Sequence, residues 1–171
     1  MSTKEPTAGR GGRPRHEPHI FVDADACPVK GETLRVAGKY GLSVTLVSNS
    51  WMRVPEREGV RLVVVEEGLD AADDWIVEHL QPADVVVSAD VPLAARCLAK
   101  GALVIGHSGK EFTEAGIGGA LATRNLLADL RDLGTTTRGP APFTRRDRSR
   151  FLQRLDAVVH AARRRLRAGL A

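Results

Sequence analysis

Apolar residues along this chain fall into five short continuous runs: His19–Ala24, Leu42–Ser48, Val60–Val65, Asp84–Ser88 and Ala102–Ile105. They are rich in Val and Ile and do not alternate with polar positions, the pattern of strands buried on both faces. Stretches with a helical repeat lie between most of them. Val29, Thr33, Val36, Ala37 and Tyr40 share one helix face, and Gly41 supplies a C-terminal stop. Ala71, Ala72, Trp75, Ile76, His79 and Leu80 form a second stripe; Leu93, Ala94, Cys97 and Leu98 form a third, stopped by Gly101. Strands alternating with helices predict an α/β fold, a mostly parallel sheet covered on both sides and joined by right-handed crossovers. The link Asn49–Gly59 is too short and irregular for a full helix.

A longer helix is predicted from about Gly118 to Leu133, followed by a Gly-, Thr- and Pro-rich linker, Gly134–Pro142. Thr144 then has the position of an N-cap, with Asp147 three residues on, for a helix running to about Arg167. Its stripe of Phe151, Leu155, Val158, Val159 and Ala162 predicts that this helix docks on the body. Met1–Pro18 has no apolar period and reads as a disordered leader before a single domain at 19–167.

The length of 171 residues suits one domain that folds without staples. Cys27 and Cys97 are too few for a disulfide framework and have no zinc-ligand spacing. No run is long enough for a signal peptide or a membrane span, so a cytoplasmic protein with no membrane partner is expected. Charge changes the picture more. Residues 20–133 hold 17 acidic against 11 basic residues, whereas residues 134–171 hold ten Arg against two Asp. An acidic body with a basic C-terminal segment suggests a polyanionic partner; a solvated arginine-rich helix is the plainer alternative.

Candidate chemistry lies at the predicted carboxyl ends of the strands, where open α/β sheets bind ligands. Asp23 and Asp25 end the first strand and, two apart, point the same way. Asp90 follows the fourth strand. Asp70 opens the helix after the third, with Asp73 and Asp74 on the same face. Asp25, Asp70 and Asp90 could each be a helix N-cap. Asp23 resists that reading, because a carboxylate inside an apolar strand costs several kcal/mol unless it is compensated. Carboxylates brought together repel, and divalent cations relieve this; an all-oxygen set favours Mg²⁺ or Mn²⁺. Such an ion polarises phosphoryl oxygens and activates water, the chemistry of phosphodiester hydrolysis.

Asn49 lies on the same predicted edge and could touch substrate. Arg53 and Arg124 could hold a phosphate. Cys27 reads as a packed thiol, His107 as a loop residue and His79 as a core-edge one. Gly106–Lys110 fails the phosphate-loop pattern, lacking its upstream glycine. Aromatic residues make up only 4% of the chain, leaving little material for base stacking.

Asp23-Ala24-Asp25-Ala26-Cys27-Pro28, Arg53-Val54-Pro55, Asp70-x-Ala72-Asp73 and Ala89-Asp90-x-Pro92-Leu93-Ala94 resemble the YaiI/YqxD family. So do Arg124, Gly139-Pro140 and Asp147-Arg148-x-x-Phe151, over roughly residues 20–155. The family is usually grouped with PIN-like domains, metal-dependent ribonucleases. The resemblance implies a three-layer α/β/α PIN-like fold, with an acidic cluster at Asp23, Asp70, Asp73 and Asp90 and with Asp25 close by.

The leading expectation is a Mg²⁺- or Mn²⁺-dependent nuclease acting on RNA in preference to DNA. Asp23, Asp25 and Asp90 would hold metal, Asp70 and Asp73 would complete the site, and the basic C-terminal segment would contact phosphates. One alternative is a phosphatase of the haloacid dehalogenase type, with Asp23 as nucleophile, Asp25 as acid/base and Ser48 as its second motif. The other is a non-catalytic module that binds RNA or the ribosome.

Overall fold

The computed structural model describes residues 17–134 and 142–169. Six strands form one sheet: β1 (Ile20–Asp23), β2 (Val44–Ser48), β3 (Val60–Val64), β4 (Val85–Val87), β5 (Leu103–Ile105) and β6 (Glu111–Phe112), in the order β3-β2-β1-β4-β5-β6. The first five are mutually parallel, and only β6 runs antiparallel, against β5. Five helices cover the sheet: α1 (Lys30–Tyr40), α2 (Ala71–His79), α3 (Val91–Ala99), α4 (Glu114–Asp132) and α5 (Arg145–Arg167).

Alternation along each strand sorts the core into two layers. Ile20, Val22, Val44, Leu46, Val85, Val87 and Ile105 pack with α1 and α5. Phe21, Val86 and Val104 pack with α2 and α3 on the other face. The result is the expected three-layer α/β/α architecture. As the apolar stripe predicted, α5 buries Phe151, Leu155, Val158, Val159 and Ala162. Its start is a complete capping box: Thr144 Oγ1 accepts the Asp147 N–H and Asp147 Oδ2 accepts the Thr144 N–H.

The chain departs from expectation in two places, the added strand β6 and the start of α4. The β2–β3 link contains no helix, as its length and irregular sequence lead one to expect, although it joins parallel neighbours. Residues 51–57 carry neither helix nor strand and end in a tight turn, Arg57 N–H to the Pro55 carbonyl, beside α1, where the Arg57 side chain donates to the Leu34 carbonyl at 3.1 Å. The helix expected from Gly118 begins at Glu114, capped by Thr113, whose hydroxyl accepts the Gly116 N–H. This α4 packs on α3 but buries none of its residues fully. Within the expected leader, Glu17 is described and pairs with Arg163 at 2.7 Å. Residues 1–16 and most of the linker, 135–141, lie outside the described residues.

Among the described residues no helix is long and apolar enough to cross a membrane. At the amino-terminal edge of the sheet sits Asp84, 1% exposed and tied to the N–H groups of His19 (3.0 Å) and Gln81 (2.8 Å). Those donors satisfy it, which makes it a structural carboxylate.

Candidate functional site

β1 lies between β2 and β4, so the chain builds outward to β3 on one side and then restarts on the other. This switch of direction opens a crevice at the carboxyl ends of β1 and β4, the usual ligand position in such sheets. Asp23, the last residue of β1, follows Phe21 on the face covered by α2 and α3. Ser88, just past β4, donates to Asp23 Oδ2 at 3.0 Å and accepts the Asp90 N–H at 3.0 Å. The Asp23 carboxylate and the Asp90 backbone nitrogen are therefore at most about 6 Å apart. On the other side of β1, Ser48 repeats the device. It donates to Asp25 Oδ1 at 2.7 Å and accepts the Ser50 N–H at 3.1 Å. The Asn49 N–H then takes Asp25 Oδ2 at 2.9 Å.

Two buried serines at the ends of the strands flanking β1 thus each hold one aspartate. Sequence reasoning took Ser48 only as a second phosphatase motif and gave Ser88 no role. Their signal is position: each closes an apolar strand and is followed by a polar residue at the next position or the one after.

α2 contributes the remaining acids. Asp73 is raised from the ordinary 3.8 to about 6, chiefly by burial, then by the charges of Asp90, Asp23 and Asp70. Asp23 is raised as well, first by burial and then by Asp90 and Asp25, against the Ser88 hydrogen bond. These mutual effects place Asp23, Asp73 and Asp90 in one electrostatic unit, with Asp25 and Asp70 at its margins. Asp74, one residue and about 100° further round the helix, turns away to pair with Arg96 at 2.8 Å.

The capping alternatives divide. Asp90 is a true N-cap, its Oδ1 accepting the Leu93 N–H at 2.9 Å. Asp70 makes no side-chain cap bond and sits in the left-handed region at φ 63°. Asp25 is occupied by Ser48 and Asn49, well before α1 begins. Ala26, next to Asp25, also has positive φ, 55°. Backbone strain of this kind concentrates at functional sites.

Not every expected residue joins the cluster. Asn49 contributes its backbone N–H, and its side chain is exposed. Arg53 is exposed on the β2–β3 link. Arg124 is exposed on α4 and, among the described residues, forms no hydrogen bond or ion pair. Cys27 is buried, which pushes its thiol up, away from nucleophilic behaviour. His107 is half-buried and its Nε2 has no hydrogen-bond partner; burial lowers its pKa.

The basic segment also divides. Arg148, in the first turn of α5, reaches the Pro28 carbonyl and Glu32 at the start of α1, on the carboxylate edge. Arg163 lies at the opposite edge, beside Glu17 and the Tyr40 carbonyl. Arg164, Arg165 and Arg167 are thus roughly 25 Å along the helix from its first turn. A groove of about 580 Å³ between α1 and α5, lined by Arg35, Val36, Lys39, Leu152, Gln153 and Asp156, shares no residue with the acidic cluster.

The donors suit Mg²⁺ or Mn²⁺. Among the described residues no three acidic, His or Cys side chains converge as a ready-made ligand group. Mg²⁺ does not need one, since it keeps several waters and binds through one or two carboxylates. Asp23 and Asp90 are the residues that would hold it, with Asp73 close enough to feel the charge of both.

The raised Asp73 carboxyl makes a prediction for the metal-free protein. Folded Asp73 keeps its proton to higher pH than unfolded Asp73, so stability is expected to fall as pH rises from about 4 to 6. Allowing for solvent screening of this half-buried group, the loss is on the order of 1–2 kcal/mol. Thermal melts of Asp73→Asn across that range, in chelator, should show a correspondingly flatter profile than the parent.

The family described as "Uncharacterized BCR, YaiI/YqxD family" matches residues 21–161 of the chain. The chain is 54% identical over 145 residues to a UPF0178 protein of Paramagnetospirillum magneticum, covering 85% of this chain and 96% of that one. It is 56% identical over 149 residues to one of Rhodospirillum centenum, covering 85% and 97%. No solved structure matches.

Proposed function

We propose, for a chain that belongs to the YaiI/YqxD family, that it is a Mg²⁺- or Mn²⁺-dependent nuclease cutting phosphodiester bonds, with RNA as its substrate in preference to DNA. One observation carries the reading: carboxylates from three separate segments lie at the crevice between β1 and β4, where burial, with Asp90 and neighbouring carboxylates, holds Asp23 and Asp73 above the usual carboxylate range. The reading agrees with the activity implied by the resemblance to PIN-like domains.

Asp23 and Asp90 would be the principal ligands of a divalent ion, which would supply charge stabilisation at the phosphoryl oxygens and an acidified water. Ser88 fixes both residues, holding the Asp23 carboxylate and the backbone of Asp90. Asp73, with a proton affinity near neutrality, is suited to take the proton of the attacking water at its carboxylate. Asp25 has both oxygens committed to Ser48 and Asn49, and shapes the turn. Arg148 and its neighbours in the first turn of α5 lie on the same edge as the substrate, and the arginines at its far end add sequence-independent attraction.

The test is incubation of the purified protein with structured and unstructured RNA and with DNA, in Mn²⁺ and in chelator. Cation-dependent cleavage of RNA is expected, with no turnover of a chromogenic phosphate monoester. Monoester turnover through an aspartyl intermediate would instead identify a phosphatase with Asp23 as nucleophile. Cleavage that persists in chelator, or in both Asp23→Asn and Asp90→Asn, overturns the proposal.

A further inference from the structure

We propose that Trp51 and Arg53 form a stacking and phosphate subsite that selects single-stranded nucleic acid; the proposal rests on the nuclease reading for the fate of the strand but not for its binding. From residue 51 the β2–β3 link carries neither helix nor strand, and burial alternates over residues 51–54. Met52 and Val54 turn inward against the core layer of α1 and α5. Trp51 and Arg53 turn outward, with Trp51 76% exposed. The other tryptophan, Trp75, is packed: its ring stacks on His79 at 3.7 Å and leans on Phe21. The fold packs one indole and holds the other out on the link, leaving an aromatic face in water that is free to meet a ligand.

The link is rooted in the site. The Asn49 N–H is bonded to Asp25 and the Ser50 N–H to Ser48, which itself holds Asp25. Trp51 is the next residue along the chain, which keeps it close to the carboxylates. Arg53 forms no hydrogen bond or ion pair among the described residues, leaving its guanidinium available to a phosphate.

An exposed indole and an exposed guanidinium two residues apart, both on the outward side of the link, match what unpaired nucleotides offer: a base face and the next phosphate. A duplex keeps its base faces stacked inside and cannot use the indole. Stacking accepts any base, so one tryptophan gives preference for single strands without sequence specificity, despite the low aromatic content.

Binding is measured by fluorescence anisotropy in chelator, so that no strand is cut, with a labelled oligouridylate of about 12 nucleotides, within the usual span of single-strand sites. A duplex and an abasic strand of the same length are the comparisons. Trp51→Ala is expected to weaken oligouridylate binding about tenfold, Trp51→Phe to retain most of it, and neither to change binding of the abasic strand. Arg53→Gln is expected to weaken both single strands. Quenching of tryptophan emission by oligouridylate should occur in the parent and vanish in Trp51→Phe.

The subsite is overturned if Trp51→Ala binds oligouridylate like the parent. It is equally overturned if the abasic strand or the duplex loses affinity as much, or if the parent binds no single strand, in which case the indole serves a protein contact. Hydrolysis in Mn²⁺ is scored separately. Cleavage that needs Asp23 but ignores Trp51 removes the subsite and keeps the nuclease; Trp51-dependent binding without cleavage does the reverse.

Discussion

Asp23→Asn is expected to lower the rate of cation-dependent RNA cleavage at least about a hundredfold while leaving the metal-free protein as stable as the parent or more so. A metal's charge stabilisation is worth several kcal/mol, and each 1.4 kcal/mol is a decade in rate, so loss of a principal ligand costs about two decades or more. Stability follows the opposite course because the ionised Asp23 is disfavoured by burial and by Asp90 and Asp25, with only the Ser88 hydroxyl in its favour. Asparagine keeps the volume and an oxygen to accept from Ser88, and it removes the repulsion. Initial rates in Mn²⁺ and thermal melts in chelator measure the two effects. The parent should also melt higher with millimolar Mn²⁺, by mass action, and the variant should lose most of that rise. An unchanged rate, or a variant less stable without metal by more than about 1 kcal/mol, would make Asp23 a structural residue.

Phe151→Ala is expected to cost about 3–5 kcal/mol of unfolding free energy, the range for a buried aromatic truncated to alanine. Phe151 is 0% exposed, in the layer that α5 and α1 build over the sheet. A domain of this size has about 5–15 kcal/mol in total, so this one change removes a large share. Leu126→Ala, on the solvated side of α4 where Leu126 is 59% exposed, should fall within about 0.5 kcal/mol of the parent. Urea unfolding with a common slope distinguishes them. If the two variants unfold alike, α5 is an appendage and not part of the core. The practical corollary is that the basic helix cannot be deleted to test its part in RNA binding; its outward arginines must be replaced instead.

The five parallel strands were legible because each is a short Val- and Ile-rich run bounded by polar or glycine signals. The antiparallel β6 was not: Glu111 and Phe112 have no strand signature and are held only by pairing with Val104 and Ile105. The first turn of α4 was hidden by glycines at 116, 118 and 119, which weaken helix propensity by about 1 kcal/mol each; contact with α3 restores it. At the site, strand alternation located Asp23, and the chain order of strands brought Asp90 to the same edge. Which of Asp73 and Asp74 enters the cluster depends on one step of helix rotation and on Arg96, a partner 22 residues away. Capping propensity alone could not separate Asp90, which reaches the Leu93 N–H from an extended backbone, from Asp70, whose left-handed backbone goes with the absence of any such bond.

The position of β1 in the middle of the sheet sets the order in which the molecule can become competent. A nascent chain that has formed β1, β2 and β3 already contains Asp23 and Asp25, with Ser48 in place. It lacks Ser88 and Asp90 until β4 adds to the vacant side of β1, a closure that joins positions 65 residues apart at Ser88 and Asp23. Contacts so distant along the chain form late, because the intervening loop must first be closed. Whatever chemistry the crevice performs is therefore withheld from fragments and half-folded intermediates, and begins only when the central pairing is complete.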